Sequence, residues 1–465
     1  MRNIRTNSKN VKNGDAFIAI PCKEIIDHIE EAKRNKASLI FVQKPMVNII
    51  PNTKEIVIVD DVRLLASRFA RLVNSEQPEH CVAITGTNGK SSVAHFIRQF
   101  WTACGKRAAN LGTVGIFIGD ILTKKLGDFQ IPNLTTPDSF TLHKILDFLK
   151  FDGISHFVFE ASSHALHQKR LHSVSLSAAA FTNLESDHLD YHGTKDEYFS
   201  AKLRLFYEIL DSKSPAIASL DYEDIYHHIS KFNKNIISFG MSNKNYITVD
   251  NVQNLSNNTV FDLIIDGNRF KDIKIDLIGK FQLMNLMCAV GVSYCSGLSC
   301  DMIINALPKI RQLQGRMELI REINGIKVFI DYAHTSSALE SVLSALVQIC
   351  RGKLVCVFGC GGDRDKTKRI EMGKIAEKLA EAVIITDDNP RYEDPATIRS
   401  EIILGCKGAV EIGDRKAAIK FAIDSSKSGD YVIIIGKGHE TTQIYGSTVL
   451  AHDDREEVLK YDDSK

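Results

Sequence analysis

Net charge of either sign is missing from this sequence. Across 465 residues, 58 Lys and Arg stand against 57 Asp and Glu, a formal charge of +1. That balance speaks against nucleic-acid or membrane-surface binding by bulk electrostatics. No uninterrupted apolar run approaches the roughly 20 residues of a membrane helix. The opening Met1-Arg2-Asn3-Ile4-Arg5-Thr6-Asn7-Ser8 has no apolar signal-peptide core. The ten cysteines follow no disulfide-scaffold spacing and include no Cys-x-x-Cys pair. Cys81, Cys288, Cys350 and Cys356 lie inside apolar segments, as reduced core cysteines of a cytoplasmic protein do. Strict internal repeats and low-complexity stretches are absent too. What remains is ordinary globular composition, 44% hydrophobic and 25% charged, with a length that suits about three domains.

Three α/β units are expected, at residues 1–78, 79–312 and 313–465. In the first, Ala16 to Ile20, Leu39 to Val42 and Glu55 to Val59 read as strands and Glu24 to Lys36 as a helix. The polar stretch Asn74-Ser75-Glu76-Gln77-Pro78-Glu79 suits a linker. The second unit opens on Cys81-Val82-Ala83-Ile84-Thr85, a continuous apolar run suited to a buried parallel strand. Val93, Phe96, Ile97, Phe100 and Trp101 then mark one helical face. Strand-like runs at His156 to Glu160, Ala178 to Thr182 and Ala216 to Leu220 alternate with helical patterns, which predicts a doubly wound parallel sheet. Val260 to Leu277 reads as all-β with a turn at Asp266-Gly267, and Asn324-Gly325 predicts a second hairpin at the start of the third unit. There, Leu354 to Phe358, Val383 to Thr386 and Tyr431 to Ile435 predict a Rossmann-like sheet.

Gly86-Thr87-Asn88-Gly89-Lys90-Ser91 lies between the buried strand and the amphipathic helix, the context of a phosphate-binding loop. Backbone N–H groups of such a turn converge on phosphate oxygens at the positive end of a helix. Lys90 would meet the β/γ-phosphates and the Ser91 hydroxyl a Mg²⁺ ion. Ile84 stands where the full motif has its first glycine, so the loop is a shortened variant. Glu160 closes the apolar run Phe157-Val158-Phe159, where a metal-binding carboxylate commonly sits, although a surface glutamate would also fit the position. His188 and His192 have the i, i+4 spacing of zinc ligands, but no third ligand lies at a zinc-motif spacing nearby. Lys202, within a helical pattern over Tyr198 to Leu210, would ordinarily be a solvated lysine.

These motifs resemble the Mur ligases over essentially the whole chain. The resemblance rests on Gly86 to Ser91, Thr135-Thr136-Pro137, Glu160-Ala161-Ser162-Ser163-His164 and Phe181-Thr182-Asn183-Leu184. It continues through His188-Leu189-Asp190-Tyr191-His192-Gly193, Ala201-Lys202, Gly315-Arg316-Met317-Glu318 and Asp331-Tyr332-Ala333-His334-Thr335. Phe358-Gly359-Cys360-Gly361-Gly362-Asp363-Arg364-Asp365, Asp388-Asn389-Pro390-Arg391 and Gly436-Lys437-Gly438-His439-Glu440 complete it.

The resemblance implies a cytoplasmic, ADP-forming amide ligase of peptidoglycan precursor synthesis, with ATP and Mg²⁺ as cofactors. Its substrates would be UDP-N-acetylmuramoyl-L-alanyl-D-glutamate and meso-diaminopimelate, and no nucleic acid, membrane or partner subunit is expected. It implies a UDP-binding unit, an ATP-binding unit and an amino-acid-binding unit, in that order. It assigns Lys90, Glu160, His188 and a carbamylated Lys202 to catalysis, with Ser91, Glu160, His188 and Lys202 around the metal. ATP would be held by Gly86, Thr87, Asn88, Gly89, Lys90, Ser91, Ser92, Asn285, Arg316 and Asp331. The UDP-sugar dipeptide falls to Ser8, Thr135, Thr136, Ser162, Gln168 and Arg170. Diaminopimelate falls to Arg364, Asp388, Asn389, Pro390, Arg391, Gly436 and Glu440. His164 and His192 are expected to serve as local hydrogen-bonding residues. The pattern departs from the family at Asn7-Ser8-Lys9, in the short Pro21-Cys22-Lys23-Glu24 loop, at Gln282 and at Ser336. Folylpolyglutamate synthases share the core and the shortened loop, but lack a first unit of this size. A P-loop switch without ligation would need no amino-acid site.

Overall fold

Short β-branched runs closed by polar turns build three parallel-rich sheets in the computed structural model, which describes residues 3–44, 53–132 and 134–462. The first sheet is parallel throughout, in the order Ile4–Arg5, Ala16–Ile18, Leu39–Gln43, Ile56–Val59. Helices Ile25–Arg34 and Val62–Val73 accompany it. The two-residue strand and the second helix were not anticipated. A two-residue strand carries no periodicity, whereas the helix does carry one that was not used: Val62, Leu65, Ala66, Phe69 and Ala70 fall on one face, and Asp61 caps it by accepting from the N–H groups of Arg63 and Leu64 at 2.9 Å.

The second sheet has eleven strands. At its centre, His80–Thr85 runs parallel to His156–Glu160 on one side and to Ala178–Phe181 on the other. Ala108–Gly112 flanks the former, while Ala216–Ser219 and Ile236–Phe239 continue beyond the latter. Both faces of the centre are covered. Val82, Ile84 and Val158 enter one core, and Cys81, Ala83, Phe157 and Phe159 the other. Burial on both faces is why these strands read as continuous apolar runs. Antiparallel strands close each edge.

Helix Lys90–Ala103 departs from the one-sided expectation, being buried from Ser91 through Trp101. Helix Lys280–Cys295 and strand Ala108–Gly112 cover it, and its polar Arg98 is satisfied by Asn110 at 3.0 Å and Asp120 at 2.8 Å. The pattern Tyr198 to Leu210 resolves into an α-helix over Lys195–Arg204 and a π-helical turn over Leu205–Ile209.

The third sheet runs Glu318–Ile323, Ile326–Asp331, Tyr431–Ile435, Leu354–Phe358, Ala382–Ile385, Val410–Glu411, parallel except for its first pair. Both expected hairpin turns form. Asp266 and Gly267 have φ of 50° and 75°, and Asn324 and Gly325 of 49° and 80°, the paired positive φ of type I′ turns. Among the described residues no helix is long and apolar enough to cross a membrane.

Candidate active site

After His80–Thr85 the chain crosses to one side of that strand, returns through His156–Glu160, and then continues on its other side from Ala178–Phe181. The crevice at the carboxyl ends of these three strands is therefore a topological switch point, where open α/β sheets bind ligands. The glycine loop sits there. Gly86 has φ 142°, and a Cβ on it would lie 1.9 Å from Thr182 Oγ1; Gly89 has φ 83°, and its Cβ would meet Asn285 Oδ1 at 2.2 Å. Only glycine fits either place. The loop is fastened from the next strand end. Asn183 Oδ1 accepts from Asn88 N at 2.9 Å, and Thr182 Oγ1 donates to the Asn88 carbonyl at 2.6 Å.

Two lysines converge on this loop, Lys202 buried and Lys90 half-buried. Lys90 Nζ donates to the carbonyls of Gly86 at 2.9 Å and Thr87 at 2.8 Å. Lys202 Nζ donates to the same Gly86 oxygen at 2.7 Å and lies 4.3 Å from the centre of the Tyr198 ring. Burial and then the charge of Lys90 hold the Lys202 amine well below the usual lysine range. Burial lowers Lys90 as well, with Glu160 and Asp187 opposing. Lys202 is thus no solvated lysine; it is 1% exposed.

Glu160 is buried at its strand end, accepting from Thr113 N at 2.9 Å and from Thr113 Oγ1 at 3.3 Å. Thr113 Oγ1 also lies 3.0 Å from Thr135 Oγ1. Beside these, Thr136 Oγ1 donates to the Glu160 carbonyl at 2.7 Å and accepts from Ser162 N at 3.0 Å. Arg170 donates to the Thr136 carbonyl at 2.7 Å and to Gln168 Oε1 at 2.8 Å. Thr135, Thr136, Ser162, Gln168 and Arg170 therefore form one connected cluster. Ser8 stands apart in the first unit, buried, with its hydroxyl donating to Glu31 at 2.5 Å.

His188 takes a left-handed conformation, φ 54°, 3.5 Å from Asp187. His164 and His192 are ring-packed rather than hydrogen-bonded. His164 lies 4.0 Å from Tyr191, 4.9 Å from His188 and 5.5 Å from His192 between ring centres, and His192 Nε2 has no hydrogen-bond partner. Among the described residues no three His, Cys, Asp or Glu side chains are grouped to hold a metal ion.

The third unit completes the crevice. Arg316 stacks 4.4 Å from the Tyr332 ring centre and reaches Ser91 Oγ at 3.5 Å. Asp331 is buried, which raises its pKa, and accepts from the N–H groups of Met317 and Ala333 at 2.6 Å. A cavity of about 120 Å³ between the units is lined by Asn88, Gly89, Ser92, Asn285, Arg316 and Asp331. A larger cleft of about 970 Å³ is lined by Thr113, Thr135, Asp187 and His188 on one side and by Arg364, Asp388, Asn389, Arg391, Gly436 and Glu440 on the other. Within it Glu440 Oε2 accepts from Asn389 Nδ2 at 2.8 Å and Lys437 Nζ at 3.0 Å. Arg391, with φ 53°, donates to the Gly362 carbonyl at 2.7 Å. Pro390 lies in the same turn, its carbonyl so close to Gly362 that a Cβ there would come within 1.9 Å.

Sequence reasoning gave no role to four residues of this crevice, although Lys437 stands inside a quoted motif. Thr113 holds Glu160; Asp187 is half-buried, which by itself would raise its pKa, but is kept below the usual carboxylate range by His188, His334 and Lys90. Glu185 accepts from Asn88 Nδ2 at 2.6 Å and from the Ser337 hydroxyl, joining the glycine loop to the third unit. Lys437 is fully buried beneath Glu440. Glu185 and Asp187 directly follow and precede quoted motifs, a signal that could have found them; Thr113 carries none.

Residues 84–293 match the Mur ligase middle domain and residues 315–438 the Mur ligase glutamate ligase domain. The chain is 41% identical over 406 residues to UDP-N-acetylmuramoyl-L-alanyl-D-glutamate–2,6-diaminopimelate ligase of Agrobacterium fabrum, covering 87% of this chain and 81% of that protein. It is 39% identical over 465 residues to the ligase of the same name from Rhizobium meliloti, covering 98% and 93%. A solved structure of a ligase of that name is 31% identical with a TM-score of 0.69, covering 98% of this chain and 93% of that one. Mycobacterium tuberculosis folylpolyglutamate synthase, complexed with ADP and AMPPCP, shares the fold at 17% identity and a TM-score of 0.67, covering 81% of this chain and 92% of that one.

Proposed function

The chain belongs to the Mur ligase family, and within it we propose an ATP-dependent, ADP-forming amide ligase that joins meso-diaminopimelate to UDP-N-acetylmuramoyl-L-alanyl-D-glutamate in peptidoglycan precursor synthesis. The observation that carries this reading is the shared cleft, which sets the Glu160 neighbourhood opposite the Arg391–Glu440 neighbourhood with the glycine loop alongside. A phosphate-activated carboxylate and an incoming amino acid must meet in such a place. We assign residues 1–78 to uridine nucleotide, 79–312 to ATP and 313–465 to the amino acid, in a cytoplasmic monomer that engages neither nucleic acid nor membrane.

In this mechanism the D-glutamyl carboxylate attacks the γ-phosphorus of ATP, ADP leaves, and an acyl phosphate forms. The amine then attacks the acyl carbon, and the tetrahedral intermediate expels phosphate as the nitrogen loses its proton. Both steps crowd anions, so fixed cations must meet them. Lys90 leaves the Gly86 and Thr87 carbonyls for the β/γ-phosphates, and Arg316 adds a second cation beside Ser91. Thr135, Thr136, Ser162, Gln168 and Arg170 hold the dipeptide end, with Ser8 on the uridine side. Arg391 takes the distal carboxylate of diaminopimelate and Arg364 the proximal one, while the Glu440 oxygen not used by Lys437 receives the ammonium.

The donor set fits Mg²⁺ on one condition. Ser91 Oγ and the Glu160 carboxylate are hard oxygens, whereas an amine at Lys202 is no ligand for a hard dication. A buried amine held well below the usual lysine range by burial and by Lys90 is suited to carbamylation, which supplies the missing oxygens. Ser91, Glu160, His188 and carbamylated Lys202 would then hold the ion, which neutralises phosphate charge when bound. Phosphate release from ATP, measured with the UDP-muramoyl dipeptide against a panel of amino acids, tests the whole reading. Release should require both co-substrates and prefer meso-diaminopimelate; release with neither would reduce the protein to an ATPase switch.

A further inference from the structure

The amino-acid side of the cleft is carried by two loops that no backbone ladder joins. One follows strand Ala382–Ile385 and contains Asp388 to Arg391; the other follows Tyr431–Ile435 and begins at Gly436. Strand Leu354–Phe358 lies between those two strands. Yet the loops touch, since a Cβ on Gly436 would come 2.6 Å from Asp388 Oδ2. Something beneath must set their spacing.

Side chains outside the cleft do so. The guanidinium of Arg415, wholly buried, donates to the Ile435 carbonyl at 3.0 Å and the Asp387 carbonyl at 3.4 Å, the residues just before Gly436 and Asp388. Asp454 grips its other edge at 2.7 and 2.8 Å, and His452 Nε2 lies 2.8 Å from Asp454 Oδ1. Asp387 is the hub. Its carboxylate accepts from Arg399 and, at 2.9 Å, from the Tyr445 hydroxyl, and its carbonyl also accepts from Gln443 at 3.2 Å.

Tyr445 belongs to the hairpin Thr442–Tyr445 and Thr448–Ala451, which clasps the first loop further along. Ile444 N donates to Asn389 Oδ1 at 3.0 Å, Arg391 N donates to the Ile444 carbonyl at 3.0 Å, and Gly446 N to the Arg391 carbonyl at 2.5 Å. Arg391 is thereby held in a left-handed conformation that a residue with a Cβ adopts only under constraint.

We propose that Asp387, Tyr445 and Arg415 are positioning residues for amino-acid selectivity: without touching the amino acid, they hold Arg391 where it meets the distal carboxylate. The proposal rests on the reading of Arg391 given above. A guanidinium selects a carboxylate through a fork of fixed direction, so a loop displaced by a fraction of an ångström weakens that contact and, with it, the preference for diaminopimelate over lysine.

The test uses the full-length enzyme carrying Tyr445→Phe, which deletes one hydroxyl from a half-buried ring, and in parallel Asp387→Asn. Tyr445→Phe should raise KM for diaminopimelate about tenfold, with KM for ATP and the thermal midpoint little changed. The ratio of kcat/KM for diaminopimelate over lysine should fall by a similar factor, and Asp387→Asn should move both further. Unchanged selectivity in folded Tyr445→Phe enzyme overturns the proposal, as does an equal rise in KM for all three substrates. Wild-type enzyme that accepts lysine as readily as diaminopimelate would instead remove the Arg391 reading itself, and this proposal with it.

Discussion

Lys202 poses an electrostatic problem that carbamylation would solve. Its ammonium nitrogen and that of Lys90 bond the same Gly86 oxygen at 2.7 and 2.9 Å, so they lie within 5.6 Å of each other. Two unit charges at that separation repel by about 3 kcal/mol at an effective dielectric near 20, and burial adds a desolvation cost to each. Unmodified Lys202 is therefore driven toward the neutral amine, the form that adds CO₂. A carbamate there reverses the sign of the Lys90 interaction and turns repulsion into attraction of similar size. Enzyme exchanged into CO₂-free buffer should lose activity and thermal stability together, and bicarbonate should restore both. Carbon-13 bicarbonate should place a slowly exchanging carbamate resonance on wild-type protein and none on Lys202→Ala. The Ala variant should fold, turn over at least about a thousandfold more slowly, and recover partly with added short carboxylates. Full activity in CO₂-free enzyme that carries no carbamate signal would refute the reasoning.

Lys90→Ala should fold normally yet lose about 3 kcal/mol or more of transition-state stabilisation, read as kcat/KM for phosphate release. Gly112→Ala should lower kcat about a hundredfold while ATP still binds, because its Cβ would fall 1.8 Å from Glu160 Oε1 and push the carboxylate off Thr113; near-normal turnover would mean Glu160 needs no fixed place. Arg391→Ala should abolish most diaminopimelate activity and leave ATP affinity intact, since Arg391 lines the large cleft and not the cavity beside the glycine loop. Stability should fall in mild acid. Burial, with Arg98 nearby, pushes His95 down to about 3, and burial, with Arg71 nearby, pushes His143 down to about 4. Both are neutral when folded, so as pH drops below about 6.5 the unfolded chain takes up protons the folded one refuses, at about 1.4 kcal/mol per group per pH unit. His143→Leu should flatten the slope of melting temperature against pH between 6.5 and 4.

How much of this protein was legible in its residues depended on the range of the signal. The central strands were readable because burial on both faces leaves a continuous apolar run, and the hairpins because Asp266-Gly267 and Asn324-Gly325 fit paired positive φ. The glycine loop was readable because strand, turn, lysine and helix follow one another within about twenty residues. Local patterning thus determined the α/β class, the order of its strands along the chain and the place of the phosphate loop. Tertiary structure alone decided which loops face each other. It turned Lys202 from a plausible surface lysine into a buried neighbour of Lys90, put Thr113 against Glu160, and drew Ser8 inward to Glu31. It also buried Arg415 under two loops that a third strand separates. The physical reason is the same in each case: a side chain's charge cost and its partners depend on what the fold brings within a few ångströms, and residues 47 or 112 positions apart leave no trace of that in their spacing.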